Sequence, residues 1–189
     1  MRLEAMRNTP SLQISTTMLF HIAHVQTSIS SSKRHGRRAV RSKTRLVQAD
    51  MRYFDLGKAF RLVTLPFRPF QHLTTVDDQL SCLQSIHRHL VKGGRLVLDL
   101  FNPSLEMLVA DNLERECGDE PEFTTPDGRH VIRRQMICSR DYANQVNQIE
   151  LIYYVTHPDG RKERLVHASA MRYLYRFEAE HLLVRCGFE

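Results

Sequence analysis

The sequence predicts an α/β core followed by an antiparallel β meander. Apolar runs of five or six residues alternate with one amphipathic helix over residues 45–102, which is the pattern of a βαβ unit. Further along, two Asp-Gly pairs lie between runs of β-forming residues, and Asp-Gly is a strong hairpin signal. Residues 45–189 are numerous enough to bury one hydrophobic core, so we expect a single folded domain there.

The first part of the chain differs from the rest in charge. Residues 1–48 hold nine Lys and Arg against one acid, a balance of +8, so the other residues carry −2 of the total net charge of +6. A basic segment on a mildly acidic body argues against a nucleic-acid-binding fold. We expect residues 1–44 to be a solvated, disordered leader; an organelle transit peptide and a basic arm for anionic partners remain as alternatives.

Composition excludes several classes of protein. The chain is 42% hydrophobic and 25% charged, and no apolar run approaches the roughly 18 residues that a membrane-spanning helix needs. The four cysteines are scattered without metal-ligand or disulfide spacing: Cys82, Cys117, Cys138 and Cys186. We therefore expect a cytoplasmic protein without a membrane, nucleic-acid or metal partner.

Three strands are predicted in the core. They are the apolar runs at residues 46–49, 61–65 and 95–100, which end at Asp50, Pro66 and Phe101. The second and third are joined by a predicted helix over residues 77–90, so we expect them to be parallel with a right-handed crossover.

The helix has a continuous apolar face and clear ends. Leu80, Leu83 and Leu90 lie on that face at helical spacing. Thr75 with Asp78 resembles a capping box, and Lys92-Gly93-Gly94 is expected to supply the cationic last turn and the stop.

The remaining residues predict a β-rich segment between two helices. We expect helices at residues 105–113 and 178–185, the second ending at Gly187, and strands at residues 131–139, 148–156 and 164–173.

In an open α/β sheet, ligands bind beyond the carboxyl ends of the parallel strands. That rule selects Asp50-Met51, Pro66-Phe67-Arg68 and Asn102. The loop over residues 65–73 combines two prolines with aromatic and polar side chains, which indicates a rigid pocket wall. His72 in this loop is a candidate general base, because imidazole titrates near neutral pH; a structural histidine is the alternative.

Several segments, in this order, resemble a known family. They are VQADMRYFDL, FRLVTLPFRPFQHL, DDQLSCLQSIHRHLVKGGRLVLDLFNP and MRYLYRFEAEHLLVRCGFE. Together they look like successive motifs of the class I S-adenosylmethionine-dependent methyltransferases that act on small molecules. The resemblance implies a Rossmann-like sheet over residues 45–102, a β-rich substrate cover over 103–173 and a return helix over 174–189.

The resemblance also implies roles for individual residues. The cofactor, S-adenosylmethionine, would contact Asp50 through its adenine amine, Met51 through its adenine ring, and Leu65, Pro66 and Phe67 through its methionine part. A small-molecule methyl acceptor would contact Arg68, His72, Arg172 and Tyr173, with His72 also the catalytic candidate.

Two elements of the family pattern are missing from the sequence. No GxGxG turn occurs, and Glu4 is the only acid before Asp50, so no acid is placed to hold the ribose. Residues 45–189 are therefore expected to be a partial methyltransferase domain, incomplete at both ends. This pattern predicts methyl transfer to a small molecule. The alternatives are a non-catalytic methyltransferase-like fragment and a binding module that uses its basic N-terminal arm.

Overall fold

The computed structural model describes residues 19–22, 45–118 and 120–189. The strands are β1 (Leu19–Ile22), β2 (Arg45–Gln48), β3 (Phe60–Leu65), β4 (Leu90–Leu98), β5 (Phe123–Thr124), β6 (His130–Asp141), β7 (Val146–Thr156) and β8 (Lys162–Arg172). The helices are α1 (Val76–Arg88), α2 (Leu105–Val109) and α3 (Arg176–Arg185), with a 3₁₀ turn at Pro69–His72.

The predicted βαβ unit is confirmed. β3 and β4 pair in parallel, with Leu65 opposite Leu98, and α1 crosses between them. The apolar stripe of α1 packs on one face of the two strands through Leu80, Leu83 and Ile86, all of which are buried. The predicted cap is also present, since the Thr75 hydroxyl accepts a hydrogen bond from the Asp78 amide at 3.2 Å.

The opposite face of this two-stranded sheet is open. Leu62 on β3 is 54% exposed and Val97 on β4 is 53% exposed. Parallel sheets are normally covered on both faces, so these side chains mark a layer that the described residues do not provide.

The end of α1 differs from the prediction. The helix stops at Arg88, and Lys92-Gly93-Gly94 lies inside β4, where the pairing jumps from Phe60–Leu90 to Leu62–Arg95. His89 causes the early stop. Its carbonyl accepts a hydrogen bond from the Phe60 amide at 2.7 Å, and its ring accepts one from the Leu56 amide at 3.0 Å. These bonds pair the chain with β3, so the helix ends before another turn can form.

The first predicted core strand forms, but its partner was not foreseen. β2 pairs antiparallel with β1, with Phe20 opposite Val47, and the described residues show no pairing between β2 and β3. β1 thus belongs to the segment for which we expected no structure. The rest of that segment, including the basic cluster, lies outside the described residues.

The antiparallel meander is confirmed as a four-stranded sheet in the order β5-β6-β7-β8. Both Asp-Gly pairs occupy turns between strands, where Gly128 and Gly160 have φ of +83° and +84°. Only glycine adopts this backbone region without strain, which explains how two similar Pro-Asp-Gly-Arg sequences form two similar turns.

The two remaining helices differ in how well they follow the prediction. α2 ends at Val109 rather than Leu113, because the edge of β6 captures the chain that follows: the Glu114 amide donates to the Ile137 carbonyl at 2.9 Å. α3 ends as expected. Gly187 has φ of +84°, and the Phe188 amide donates to the Leu183 carbonyl at 3.1 Å, which completes a Schellman cap.

The helices in the described part of the chain are too short or too polar to cross a membrane.

Candidate functional site

The backbone is strained where the chain leaves β3. Phe67 and Arg68 both have φ of +63°, which is unfavourable for residues with a Cβ and costs about 1–3 kcal/mol each. Such strain is concentrated at functional sites. Phe67 is also 90% exposed, although its large apolar ring would gain free energy from burial. The loop therefore presents an aromatic ring at the edge of the sheet where ligands of α/β proteins bind.

Asp99 holds this strained loop. It follows β4, and its carboxylate accepts a hydrogen bond from the Phe67 amide at 3.1 Å, while its own amide donates to the Leu65 carbonyl at 3.2 Å. The Arg68 guanidinium lies over the Phe101 ring, 5.3 Å from its centre. The exits of the two parallel strands are thus tied together, as expected for a preformed site. Sequence reasoning missed Asp99, although its position at a strand end could have indicated it.

Gln71 joins three segments from within the structure. It is fully buried, and its amide nitrogen donates to the carbonyls of Phe101 at 3.0 Å and Arg172 at 2.9 Å. Its amide oxygen accepts from the Phe101 amide at 2.6 Å. The sequence predicted that the polar side chains of residues 65–73 line a pocket wall, but the side chain of Gln71 instead joins the end of β4 and β8 to the loop after β3.

His72, the catalytic candidate, lies beside Gln71 and is half-buried. Its Nδ1 is 3.2 Å from the Ala170 carbonyl, and because a carbonyl only accepts, Nδ1 carries a proton. Burial lowers the pKa of the ring, the nearby His167 lowers it further, and the bond to Ala170 opposes both effects. The lowered pKa favours the neutral imidazole, in which Nε2 carries the lone pair that a general base requires.

Arg172 and Tyr173, the other predicted acceptor contacts, are buried. The Arg172 guanidinium bonds the Gln79 side chain at 3.0 Å and forms an ion pair with Glu178 at 2.6 Å. Tyr173 packs edge-to-face on Tyr175, and burial raises its pKa. Both residues fix the position of β8 and α3, and neither presents its side chain freely to solvent.

The predicted cofactor residues fall into two sets. Pro66 and Phe67 are exposed at the strand exit, whereas Met51 and Leu65 are buried in the core that α1 covers. Asp50 accepts hydrogen bonds from the Arg52 amide and guanidinium at 2.7–3.2 Å, and this contact lowers the pKa of its carboxyl group. Arg52 also bonds Asp78 at 2.9 Å, so Asp50 is coupled to the first turn of α1.

The structure therefore brings Phe67, Arg68 and His72 together on one loop and places Arg172 and Tyr173 behind it. Asp50 and Met51 belong to a separate cluster around Arg52. No group of three or more metal-ligating side chains occurs within residues 45–118 and 120–189.

Comparison with solved structures identifies similar folds. The sugar N-methyltransferase KedS8 from a Streptoalloteichus species matches with a TM-score of 0.58 at 20% identity, over 74% of this chain and 52% of that chain. DesVI of Streptomyces venezuelae matches with a TM-score of 0.61 at 21% identity, over 74% and 55% of the two chains. This chain has a methyltransferase fold.

A third neighbour agrees. CalS10, an amino pentose methyltransferase from Micromonospora echinaspora whose structure holds S-adenosylmethionine, matches with a TM-score of 0.56 at 24% identity, over 74% and 54% of the two chains. The resemblance to class I methyltransferases is thereby confirmed at the level of the fold, and the chain spans about half the length of these neighbours. No protein-family model matches the sequence, and no curated protein does.

Replacing Gln71 tests its role as a fastener. Gln71→Leu leaves the Phe101 amide and the Arg172 carbonyl without their buried partner, so we expect the free energy of unfolding to fall by about 2–4 kcal/mol in urea denaturation. Gln84→Leu, on the exposed face of α1, is the matched control and should change stability by less than about 0.5 kcal/mol. Equal effects of the two substitutions would contradict this role.

The pKa of His72 can be measured by following its ring signals with NMR as pH is lowered. We expect His72 to titrate at a lower pH in the folded chain than histidine does in the urea-unfolded chain, because burial disfavours the imidazolium. Between those two pKa values the unfolded state binds the extra proton, so His72 reduces stability as pH falls through that range. A folded-state pKa at or above the unfolded value would contradict the conclusion that burial holds the ring of His72 in its neutral form.

Proposed function

We propose that this chain forms the acceptor side of an S-adenosylmethionine-dependent methyl transfer to a small molecule. The observation that carries the proposal is the strained, exposed Phe67–Arg68 pair at the exits of the parallel strands, next to a neutral, oriented His72. The fold shared with methyltransferases supports it. KedS8 and CalS10 are described as methyltransferases of sugars, which supports a small polar acceptor.

The described residues fit one end of the cofactor better than the other. Phe67 offers an exposed ring beside the strand exit, which suits the methionine part. The Asp50 carboxylate, by contrast, is already occupied by Arg52, so the adenine amine finds no free acceptor there. We therefore place contacts to S-adenosylmethionine at Pro66 and Phe67.

The chemistry asked of the protein is mainly positioning. When bound, S-adenosylmethionine supplies an electrophilic methyl group. The loop after β3 holds its geometry through Asp99 and Gln71, and such preorganisation lowers the entropic barrier to in-line attack. His72 accepts, at Nε2, the proton that an acceptor amine or hydroxyl loses, and the Ala170 carbonyl keeps the ring oriented.

Titration of the isotopically labelled full chain with S-adenosylmethionine tests the proposal by NMR. We expect saturable shifts of the Phe67, Arg68 and Asp99 amides, with a dissociation constant of about 0.1–1 mM because a glycine-rich turn is missing from the sequence. Phe67→Ala should weaken binding roughly tenfold by removing the exposed ring.

Phe177→Ala is the matched control, because Phe177 is 69% exposed on α3 and belongs to no part of the site. It should bind as tightly as the unaltered chain. If no amide of the strand exits shifts at several times the expected dissociation constant, the chain does not use this cofactor, and the non-catalytic alternative replaces the proposal.

A further inference from the structure

A second feature of the structure is a cavity of about 500 Å³ between the start of α1 and the hairpin end of the meander. This volume lies in the range of small-molecule sites. Its walls come from the loop before α1 and from β6, β7 and β8. The sequence did not predict this cavity, and it does not lie beyond the carboxyl ends of the parallel strands. Its walls come together only when the meander packs against the loop before α1.

Polar uncharged side chains are the largest group among those that line the cavity, and the others are four apolar and two charged residues. The polar group includes the hydroxyls of Thr74, Thr75 and Ser139 and the amides of Asn144 and Gln148. Ser139 and Gln148 are exposed and stand opposite each other on neighbouring strands, so one wall offers a hydroxyl and an amide side by side, each able to donate and to accept a hydrogen bond.

The charges of the cavity disfavour an anionic guest. Two charged residues line it, Asp141 and Arg172. The Arg172 guanidinium is neutralised by its ion pair with Glu178, whereas Asp141 is bonded only to its own turn, through the amide and side chain of Asn144. The wall is therefore neutral to negative and retains acceptor oxygens on Asp141.

Hydrogen bonding behind the wall is incomplete. Arg172 is 8% exposed, and its Nε is a buried donor without a partner among the described residues. This atom is not accessible to solvent, so it lies behind the wall and does not itself contact a guest.

We infer that this cavity binds an uncharged polyhydroxylated molecule, such as a sugar ring or a cyclitol, whose hydroxyls donate to Asp141 and both donate to and accept from Ser139 and Gln148. Each hydroxyl of such a molecule is at once a donor and an acceptor, which suits the adjacent hydroxyl of Ser139, amide of Gln148 and carboxylate of Asp141.

The position of the cavity connects it to the reaction. Ala170 lines the cavity, and its carbonyl is the group that orients His72. A guest held there lies against the strand residue whose carbonyl orients His72. The identification of this guest as the methyl acceptor rests on the proposed function. Its binding to the cavity does not depend on that proposal.

NMR titration of the isotopically labelled full chain tests the inference, with methyl α-D-glucopyranoside and myo-inositol as separate probes. We expect saturable shifts of the Ser139, Gln148 and Ala170 amides with at least one of them. Gln148→Ala should weaken that binding roughly tenfold, the value of one or two hydrogen bonds. Gln135→Ala is the matched control, because Gln135 is exposed on the other face of the same sheet, and it should bind as the unaltered chain does.

Absence of shifts with both probes, or equal weakening by the two substitutions, would overturn the inference. Shifts of the same amides by inorganic phosphate alone would also overturn it, since the cavity would then be an anion site. Polyol binding without S-adenosylmethionine binding would support this inference while the proposed function fails. S-Adenosylmethionine binding without polyol binding would overturn this inference and leave the proposed function standing.

Discussion

The structure depends on one buried side chain, that of Gln71. Its side-chain amide forms hydrogen bonds with the carbonyl and the backbone amide of Phe101 and with the carbonyl of Arg172. β8 is the edge strand of the meander, so its outward carbonyls would otherwise lack partners where they are buried. Gln71 and His72 satisfy two of them, and together with the bond between the Arg172 and Gln79 side chains they join the β sheet to the parallel βαβ unit.

The same attachment explains why the loop after β3 tolerates strain. Two successive residues with positive φ would relax in an isolated loop, but Asp99 at one end and Gln71 at the other fix the backbone between them. The buried hydrogen bonds of this loop offset the unfavourable free energy of keeping Phe67 exposed and the backbone of Arg68 strained, with its guanidinium over Phe101. Under the proposed function such rigidity is required, because small errors in the position of a methyl acceptor slow the reaction greatly.

Local patterns predicted the elements, and tertiary contacts decided what the sequence could not show. The α1 stripe, its Thr75 cap and the glycine turns of the meander all depend on near neighbours in the chain, and all were predicted. The end of α1 depends on His89 meeting Phe60, about thirty residues away, and was placed wrongly. At the candidate site, the sequence selected the loop after β3 and His72, whose functional roles stay predictions. Asp99 was missed although it lies near the end of a predicted strand, and the cavity could not be predicted because its walls meet only when the meander packs against the loop.

Amide hydrogen exchange at Phe101 tests most directly whether Gln71 unites the two parts of the structure. Phe101 follows β4 in irregular backbone, and the partner of its amide is the Gln71 side chain. The account predicts that this amide exchanges as slowly as the paired amides of β4, since release of Gln71 requires the loop, β4 and β8 to separate. Exchange as fast as that of the exposed Asn102 next to it would contradict the account.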